Sequence, residues 1–274
     1  MGKFDGVLLA TDYDDTLMPF GCHALSAGNL QAINYFCSEG GRFTLSTGRD
    51  LRSYQSIRPI VPVNAPVVLS NGAVIFDAQQ ENILYQCELP LDFRADLAKL
   101  MTCFPEIGIE VHRDDCIYVV RHNAGVQAHL DNIAAAVVPA ELDTLPPVCT
   151  KIALIAPICF EETPLSRAIA AYCAATWPQK YEAALSHGIL DLSPAGVHKG
   201  SGVLQLCELL QLSPSQLYCI GDNWNDLPML RCCAQGFVPA SARPELLQAP
   251  NLSVVPACSA DAVAAVIAWL DRRF

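Results

Sequence analysis

Short unbroken apolar runs alternate along this chain with longer stretches in which apolar residues recur every three or four positions. Residues 7–10 form a continuous apolar run followed at once by acids, the pattern of a parallel strand buried on both faces. Residues 26–39 read as a helix that stops at Gly40-Gly41, a glycine terminator. Residues 43–46, 67–69 and 217–220 read as further strands. Val203, Leu206, Cys207 and Leu210 fall at i, i+3, i+4 and i+7, so the spacing predicts a helix over 199–211 with one apolar stripe. A last helix covers 262–270. This alternation predicts an α/β fold: an open, mostly parallel sheet with helices on both faces.

The middle of the chain carries a different unit. Phe93, Leu97, Leu100, Met101 and Phe104 form a helical stripe, and residues 107–111 and 117–120 follow as strands. Val126, Leu130, Ile133, Ala134 and Val137 form a second helical stripe. Residues 152–155 read as a strand, and Leu165, Ile169, Tyr172 and Cys173 as one more helix. Residues 87–188 are therefore expected to be an α+β module inserted into a core made of 1–86 and 189–274.

Composition narrows the function classes. Of 274 residues 52% are hydrophobic and 16% charged, which excludes a disordered chain and supplies a large core. Seventeen Lys+Arg against 28 Asp+Glu give a formal net charge of −11, unsuited to nucleic acid or anionic membranes. No apolar run approaches the ~18 residues of a membrane span. The thirteen cysteines are odd in number, irregularly spaced and without a C-x-x-C pair, so free thiols in a cytoplasmic protein are expected.

Four segments carry candidate chemistry. The run Asp12-Tyr13-Asp14-Asp15-Thr16-Leu17 follows the first strand directly, and open α/β sheets bind ligands beyond the carboxyl ends of their strands. Carboxylates this close repel unless a cation or shared protons offset them. The second strand ends in Thr47-Gly48-Arg49, a hydroxyl and an unencumbered backbone suited to a phosphate oxygen. The strand at 217–220 ends in Gly221-Asp222-Asn223-Trp224-Asn225-Asp226. Lys199-Gly200 opens a helix, where a cation is unfavourable for the helix dipole, so Lys199 answers an anion, either Asp12 or a bound phosphate. Acids converging from separate strand ends call for Mg²⁺, which takes oxygen ligands.

Together these pieces fit phosphoryl transfer, which needs positioning and charge neutralisation above all. Asp12 is the candidate nucleophile and Asp14 the acid/base. Thr47, Gly48, Lys199 and Asn225 are the candidate phosphate contacts. Asp12, Asp14 and Asp222 are the candidate metal ligands, with Thr16 behind them and Asp226 as ligand or support. Trp224 is expected to pack against the core. The six histidines are expected in packing or surface roles, none singled out for substrate.

The order DYDDTL, STGR, HKG, GDNWNDLPML resembles the haloacid dehalogenase superfamily of phosphohydrolases, and most closely its Cof-like branch with a large inserted α/β cap. The interval between Arg49 and Lys199 accommodates that insert, and Leu69-Ser70-Asn71-Gly72-Ala73-Val74-Ile75 resembles the segment before it. The resemblance implies a Rossmann-like core, Mg²⁺ dependence, small phosphate monoester substrates such as sugar phosphates, and the Asp14 backbone carbonyl on the metal. A phosphomutase and a silent phospho-ligand-binding protein are the competing readings. One residue departs from the family pattern: Asp15 stands where Gly is usual, and Asp tolerates the left-handed backbone region better than most residues.

Overall fold

A computed structural model describes residues 2–113, 116–131, 133 and 137–274. The first part of the chain forms β1 (Leu8–Thr11), α1 (Ala27–Ser38), β2 (Arg42–Leu45), α2 (Leu51–Ile57), β3 (Val67–Leu69), β4 (Val74–Asp77) and β5 (Asn82–Gln86). The middle forms α3 (Phe93–Cys103), β6 (Gly108–Arg113), β7 (Cys116–Arg121), α4 (Ala124–Asp131), β8 (Val137–Pro139), β9 (Lys151–Ile155), α5 (Pro164–Thr176), β10 (Tyr181–Ser186) and β11 (Ile189–Pro194). The last part forms α6 (Lys199–Leu209), β12 (Leu217–Ile220), α7 (Leu227–Cys232), β13 (Gln235–Pro239), α8 (Pro244–Leu247), β14 (Leu252–Val255) and α9 (Ala262–Arg273).

The chain divides into two compact units. One comprises Met1–Gly48, Ile57–Leu84 and His198–Phe274, the other Arg49–Ser56 and Tyr85–Val197.

The first unit is built on a five-stranded parallel sheet of order β14-β13-β12-β1-β2. All four residues of β1 and of β12 are buried, as continuous apolar runs between two helix layers require. The register pairs Thr11 with both Ile220 and Leu45, so three strands end at one level. The ladder continues one step further, with Asp12 N donating to Ile220 O and Ser46 N to Thr11 O. Caps fix the helices that flank the sheet. Ser26 accepts from Asn29 N at the start of α1, and Asn29 Oδ1 accepts from Ala264 N in α9, tying these neighbouring helices together. His198 caps α6 by accepting from Ser201 N, while Ser201 Oγ accepts from His198 N. The strand β3 pairs antiparallel with β4 in a separate three-stranded sheet of order β3-β4-β5 and meets β2 through the bridge Ser46–Val68.

The second unit has a six-stranded sheet of order β10-β11-β9-β6-β7-β8, antiparallel except for the β7–β8 pair. Phe93, Leu97, Leu100, Ile109, Val111, Ile152, Leu154 and Ile169 form its main core, and Ile117, Val126, Ala153 and Ile155 a second. The alternation of Ile152/Leu154 and Ala153/Ile155 between these clusters is the period-two pattern of a strand covered on both faces. The strand β11 pairs with β9 and β10 and so belongs to this unit.

The helical stripe expected through Val137 is shorter in the structure. Helix α4 stops at Asp131, Val137 begins strand β8, and Ala134 lies outside the described residues. All thirteen cysteines are free thiols. Among the described residues no helix is long and apolar enough to cross a membrane.

Candidate active site

Three of the four chemistry-bearing segments meet where β1, β2 and β12 end. Carboxylate oxygens of Asp12, Asp222 and Asp226 all lie within 4.8 Å of one another, and all three residues are buried. Lys199 enters the cluster from the first turn of α6 and is itself only 1% exposed. Its Nζ donates to Asp12 Oδ1 at 2.7 Å and to Asp226 Oδ1 at 2.6 Å. The cation at a helix N-terminus therefore answers Asp12, the first of the two anions expected. One ammonium faces three buried carboxylates, so the cluster is net anionic when all three are ionised.

Burial is the main reason that the Asp12 carboxyl sits well above the usual carboxylate range, followed by the charge of Asp226, with Lys199 opposing. Asp222 is pushed up to about 7, again by burial first and then by Asp226, against the Thr16 hydrogen bond and Lys199. Burial pulls Lys199 down, but Asp12 and Asp226 outweigh it and hold the ammonium above its ordinary value.

The remaining contacts show how each acid is oriented. Thr16 Oγ1 donates to Asp222 Oδ1 at 2.6 Å. Asp226 Oδ2 accepts from the backbone N–H groups of Asp222 and Asn223 at 3.0 and 2.9 Å. With Oδ1 on Lys199 and Oδ2 on two amides, Asp226 has committed both oxygens. Its geometry suits holding the loop and Lys199 more than binding an ion. Asp12 Oδ2 and Asp222 Oδ2, by contrast, take no hydrogen bond among the described residues. Two oxygen atoms in a net-anionic pocket match the oxygen preference and charge of Mg²⁺.

Asp14 is half-buried two residues beyond Asp12, where the chain turns out of β1. Asp15 has φ +55°, so the position usual for Gly does adopt the left-handed region, and Asp15 Oδ1 fastens the turn by accepting from Phe20 N at 2.9 Å. Thr47 is buried and held by its backbone, with N donating to Val68 O and O accepting from Asn71 N. A Cβ on Gly48 would stand 3.2 Å from Asn71 Oδ1, so the Asn71 side chain would have to give by a few tenths of an ångström. Asn225 Nδ2 donates to Asn71 Oδ1 at 3.3 Å, whereas Asn225 Oδ1 is buried without a partner among the described residues. An unsatisfied buried amide oxygen is completed by a donor such as a water or a ligand hydroxyl, whereas a phosphoryl oxygen has to be met by the Nδ2 amide.

The structure differs from expectation at Trp224, which is 42% exposed and does not pack into the core. It stands on a short 3₁₀ turn whose buried residue is Asp226, and the turn carries the indole outward. Asn71, Asn223 and Arg243 are additions to the expected site residues. Ser70, Asn71 and Gly72 all have positive φ, and three consecutive residues tolerant of that conformation after a strand are the available signal for Asn71. Asn223 Oδ1 accepts from Arg243 Nε at 2.7 Å, and Arg243 N donates to Asp222 O, contacts that no local sequence pattern marks.

The order of elements is that of one class of hydrolase. Residues 9–267 match the family model of the haloacid dehalogenase-like hydrolases, and the chain belongs to that family of enzymes. An HMP-PP phosphatase of Escherichia coli is 26% identical over 271 residues, spanning 96% of both chains. The HMP-PP phosphatase of Cronobacter sakazakii is 24% identical over 272 residues, 96% of this chain and 95% of its own. Among solved structures, the HAD subclass IIB sugar phosphatase BT4131 superposes with a TM-score of 0.82 at 18% identity, over 97% of this chain and 99% of its own. TM0651 from Thermotoga maritima does so with a TM-score of 0.77 at 18% identity, over 96% and 97%. Likeness at that identity establishes the shared fold.

Proposed function

We propose that the protein is a Mg²⁺-dependent phosphatase that hydrolyses small phosphorylated metabolites through an aspartyl-phosphate on Asp12. The observation that carries this reading is the arrangement of Asp12: one oxygen is held by Lys199 at 2.7 Å, the other takes no hydrogen bond among the described residues, and Asp222 stands alongside. The names of the Escherichia coli and BT4131 relatives support a phosphate ester as the substrate class.

In this mechanism one carboxylate oxygen of Asp12 attacks phosphorus in line with the leaving oxygen, and the other is the one left for the cation. Thr47, Lys199 and Asn225 hold the phosphoryl oxygens, and the Gly48 backbone lies beside them. Asp14 gives its proton to the leaving alcohol or sugar oxygen as the P–O bond breaks, then takes a proton from the water that hydrolyses the aspartyl-phosphate. Asp12, Asp222 and the Asp14 carbonyl would hold Mg²⁺, with Thr16 orienting Asp222 and Asp226 fixing Lys199. When bound, the ion offsets the crowded carboxylates and draws charge from the phosphoryl oxygens. We assign the second unit the role of cap, on the strength of its insertion between Leu84 and His198. The thirteen free thiols favour a reducing, cytoplasmic setting.

The test is turnover of p-nitrophenyl phosphate and of a panel of phosphorylated sugars and cofactors, with Mg²⁺ and with EDTA. Mg²⁺-dependent phosphate release that disappears in Asp12→Asn, with the fold intact, is the expected result. Isomer formation without phosphate release would favour a mutase, and binding without turnover a silent protein.

A further inference from the structure

The second unit holds a buried charged network that the mechanism above does not use. His112 on β6 is 2% exposed and lies between two carboxylates. Its Nδ1 is 3.1 Å from Asp50 Oδ2 and its Nε2 is 3.2 Å from Glu110 Oε2. Glu110 is fully buried and is also met by His129 Nδ1 from α4, 3.0 Å from both carboxylate oxygens. Lys151 on β9 pairs in register with His112 and bonds Asp191 on β11. All of these groups belong to the same compact unit, because residues 49–56 are part of it.

The hydrogen-bonding inventory restricts the protonation of this network. A carboxylate only accepts, and a neutral imidazole donates from one nitrogen while the other offers a lone pair. With a carboxylate at each nitrogen, neutral His112 would turn a lone pair onto an oxygen. The network closes only when both nitrogens carry protons. The charges agree: two carboxylates, Asp50 and Glu110, face His112, while Lys151 is paired with Asp191. Loss of the His112 proton would leave excess negative charge in a buried place, which is costly.

Asp50 is the member that connects this network to phosphate chemistry. It stands immediately before α2, where its Oδ1 accepts from Ser53 N at 2.7 Å and its O from Tyr54 N at 2.9 Å. Gly48 and Thr47 are two and three residues upstream, and the chain passes from the first unit to the second between Gly48 and Arg49. The anchor of α2 therefore sets where the segment after the phosphate turn begins.

We propose that His112 is a positioning residue for the Thr47–Gly48 turn: as an imidazolium bridging Asp50 and Glu110 it anchors the head of α2, and it loosens that anchor when it deprotonates. This rests on the phosphatase reading given above. Burial and the Lys151 charge pull His112 toward the neutral form, but the bonds to Asp50 and Glu110 outweigh them, so the release falls on the alkaline side of an ordinary histidine. The groups facing His112 are Asp50 before α2, Glu110 on its own strand and Lys151 on β9, with His129 and Asp191 behind the last two.

Two measurements on the full chain test this. First, KM for p-nitrophenyl phosphate at saturating Mg²⁺ is followed from pH 5.5 to 8.5. Wild-type KM is expected to rise about fivefold across a one-proton step above pH 6.5, the worth of about one hydrogen bond, with less change in kcat. Asp50→Asn removes the need for the proton: Asn Oδ1 still accepts from Ser53 N, and its amide donates to neutral His112 Nδ1. This variant is expected to keep KM low with that step gone, whereas His112→Gln is expected to raise KM at every pH. The same step persisting in Asp50→Asn would overturn the proposal. Second, nitrogen chemical shifts of His112 at pH 6.5 are expected to show two protonated ring nitrogens, and a single-proton tautomer would overturn it without reference to activity. Should His112→Gln fail to fold, Asp50→Asn and the chemical shifts still decide. Absence of turnover in the wild type would sink the phosphatase reading instead.

Discussion

Replacing Asp12 by Asn is expected to abolish turnover and, in the absence of metal, to make the protein more stable. The magnitude follows from the site. Carboxylate oxygens of Asp222 and Asp226 stand at most 4.8 Å from that of Asp12. At an effective dielectric of ~20, each repulsion is worth about 3.5 kcal/mol or more, about 7 kcal/mol together. The attraction of Lys199 to Asp12 Oδ1 at 2.7 Å is worth about 6 kcal/mol on the same scale. An Asn carbonyl in the same place keeps a charge-assisted hydrogen bond of about 2 kcal/mol. The balance favours Asn by about 3 kcal/mol, before counting the relief of burying an amide in place of a carboxylate. Melting curves at pH 8 in EDTA should show the variant rising by roughly 6–12 °C. Adding Mg²⁺ should raise the wild type much more than the variant, narrowing or reversing the gap. A variant that melts below the wild type in EDTA would refute the reasoning, because it would mean that the acids around Asp12 are not held against their mutual repulsion.

Other changes probe single contacts. Thr16→Val removes the 2.6 Å bond to Asp222 Oδ1 and should weaken Mg²⁺ activation about tenfold or more, read as a shift in the Mg²⁺ titration with kcat retained at saturation. Gly200→Ala puts a Cβ 2.7 Å from the Pro228 backbone, so α6 must move and carry Lys199 with it; a loss of about 1–3 kcal/mol in urea melts and a lower kcat are expected. Because the Asp222 carboxyl is raised to about 7 in the folded state, metal-free protein should have its full stability below pH ~4 from this group. It should lose roughly 4 kcal/mol as pH rises through 7, and Mg²⁺ should abolish that loss. Trp224→Ala should change stability by less than about 1 kcal/mol, since the indole is largely outside the core.

The parts of this molecule that are legible in the sequence are those where one local pattern decides the outcome. The strands β1 and β12 are unbroken apolar runs, and α6 shows its stripe at helical spacing, so each is found where the pattern puts it. Asp12 and Asp222 are legible because an acid within two residues of the end of a buried strand stands at the sheet edge where ligands bind, and its charge there has to be answered by a cation or a proton. Val137 misleads because it fits a helical period, while Val137-Val138-Pro139 is also a β-branched run closed by proline, and that signal prevails. Strand β13 is hard to read because its sequence, QGFVP, opens polar, contains glycine and ends in proline. The contacts made by Asn71 and Arg243 depend on parts of the chain brought together only by folding. The Asp50–His112 bond spans 62 residues, and nothing in either segment announces the other.

That bond bears on how this protein can be recombined with its relatives. The chain changes unit after Gly48, Ser56, Leu84 and Val197, so the inserted module has an outlying piece of eight residues, 49–56. A graft cut only at Leu84 and Val197 would import a foreign partner for Asp50 and discard His112, stranding a carboxylate in the host. Chimeras that exchange residues 49–56 along with 85–197 keep donor and acceptor from the same parent, and these are the ones that should fold.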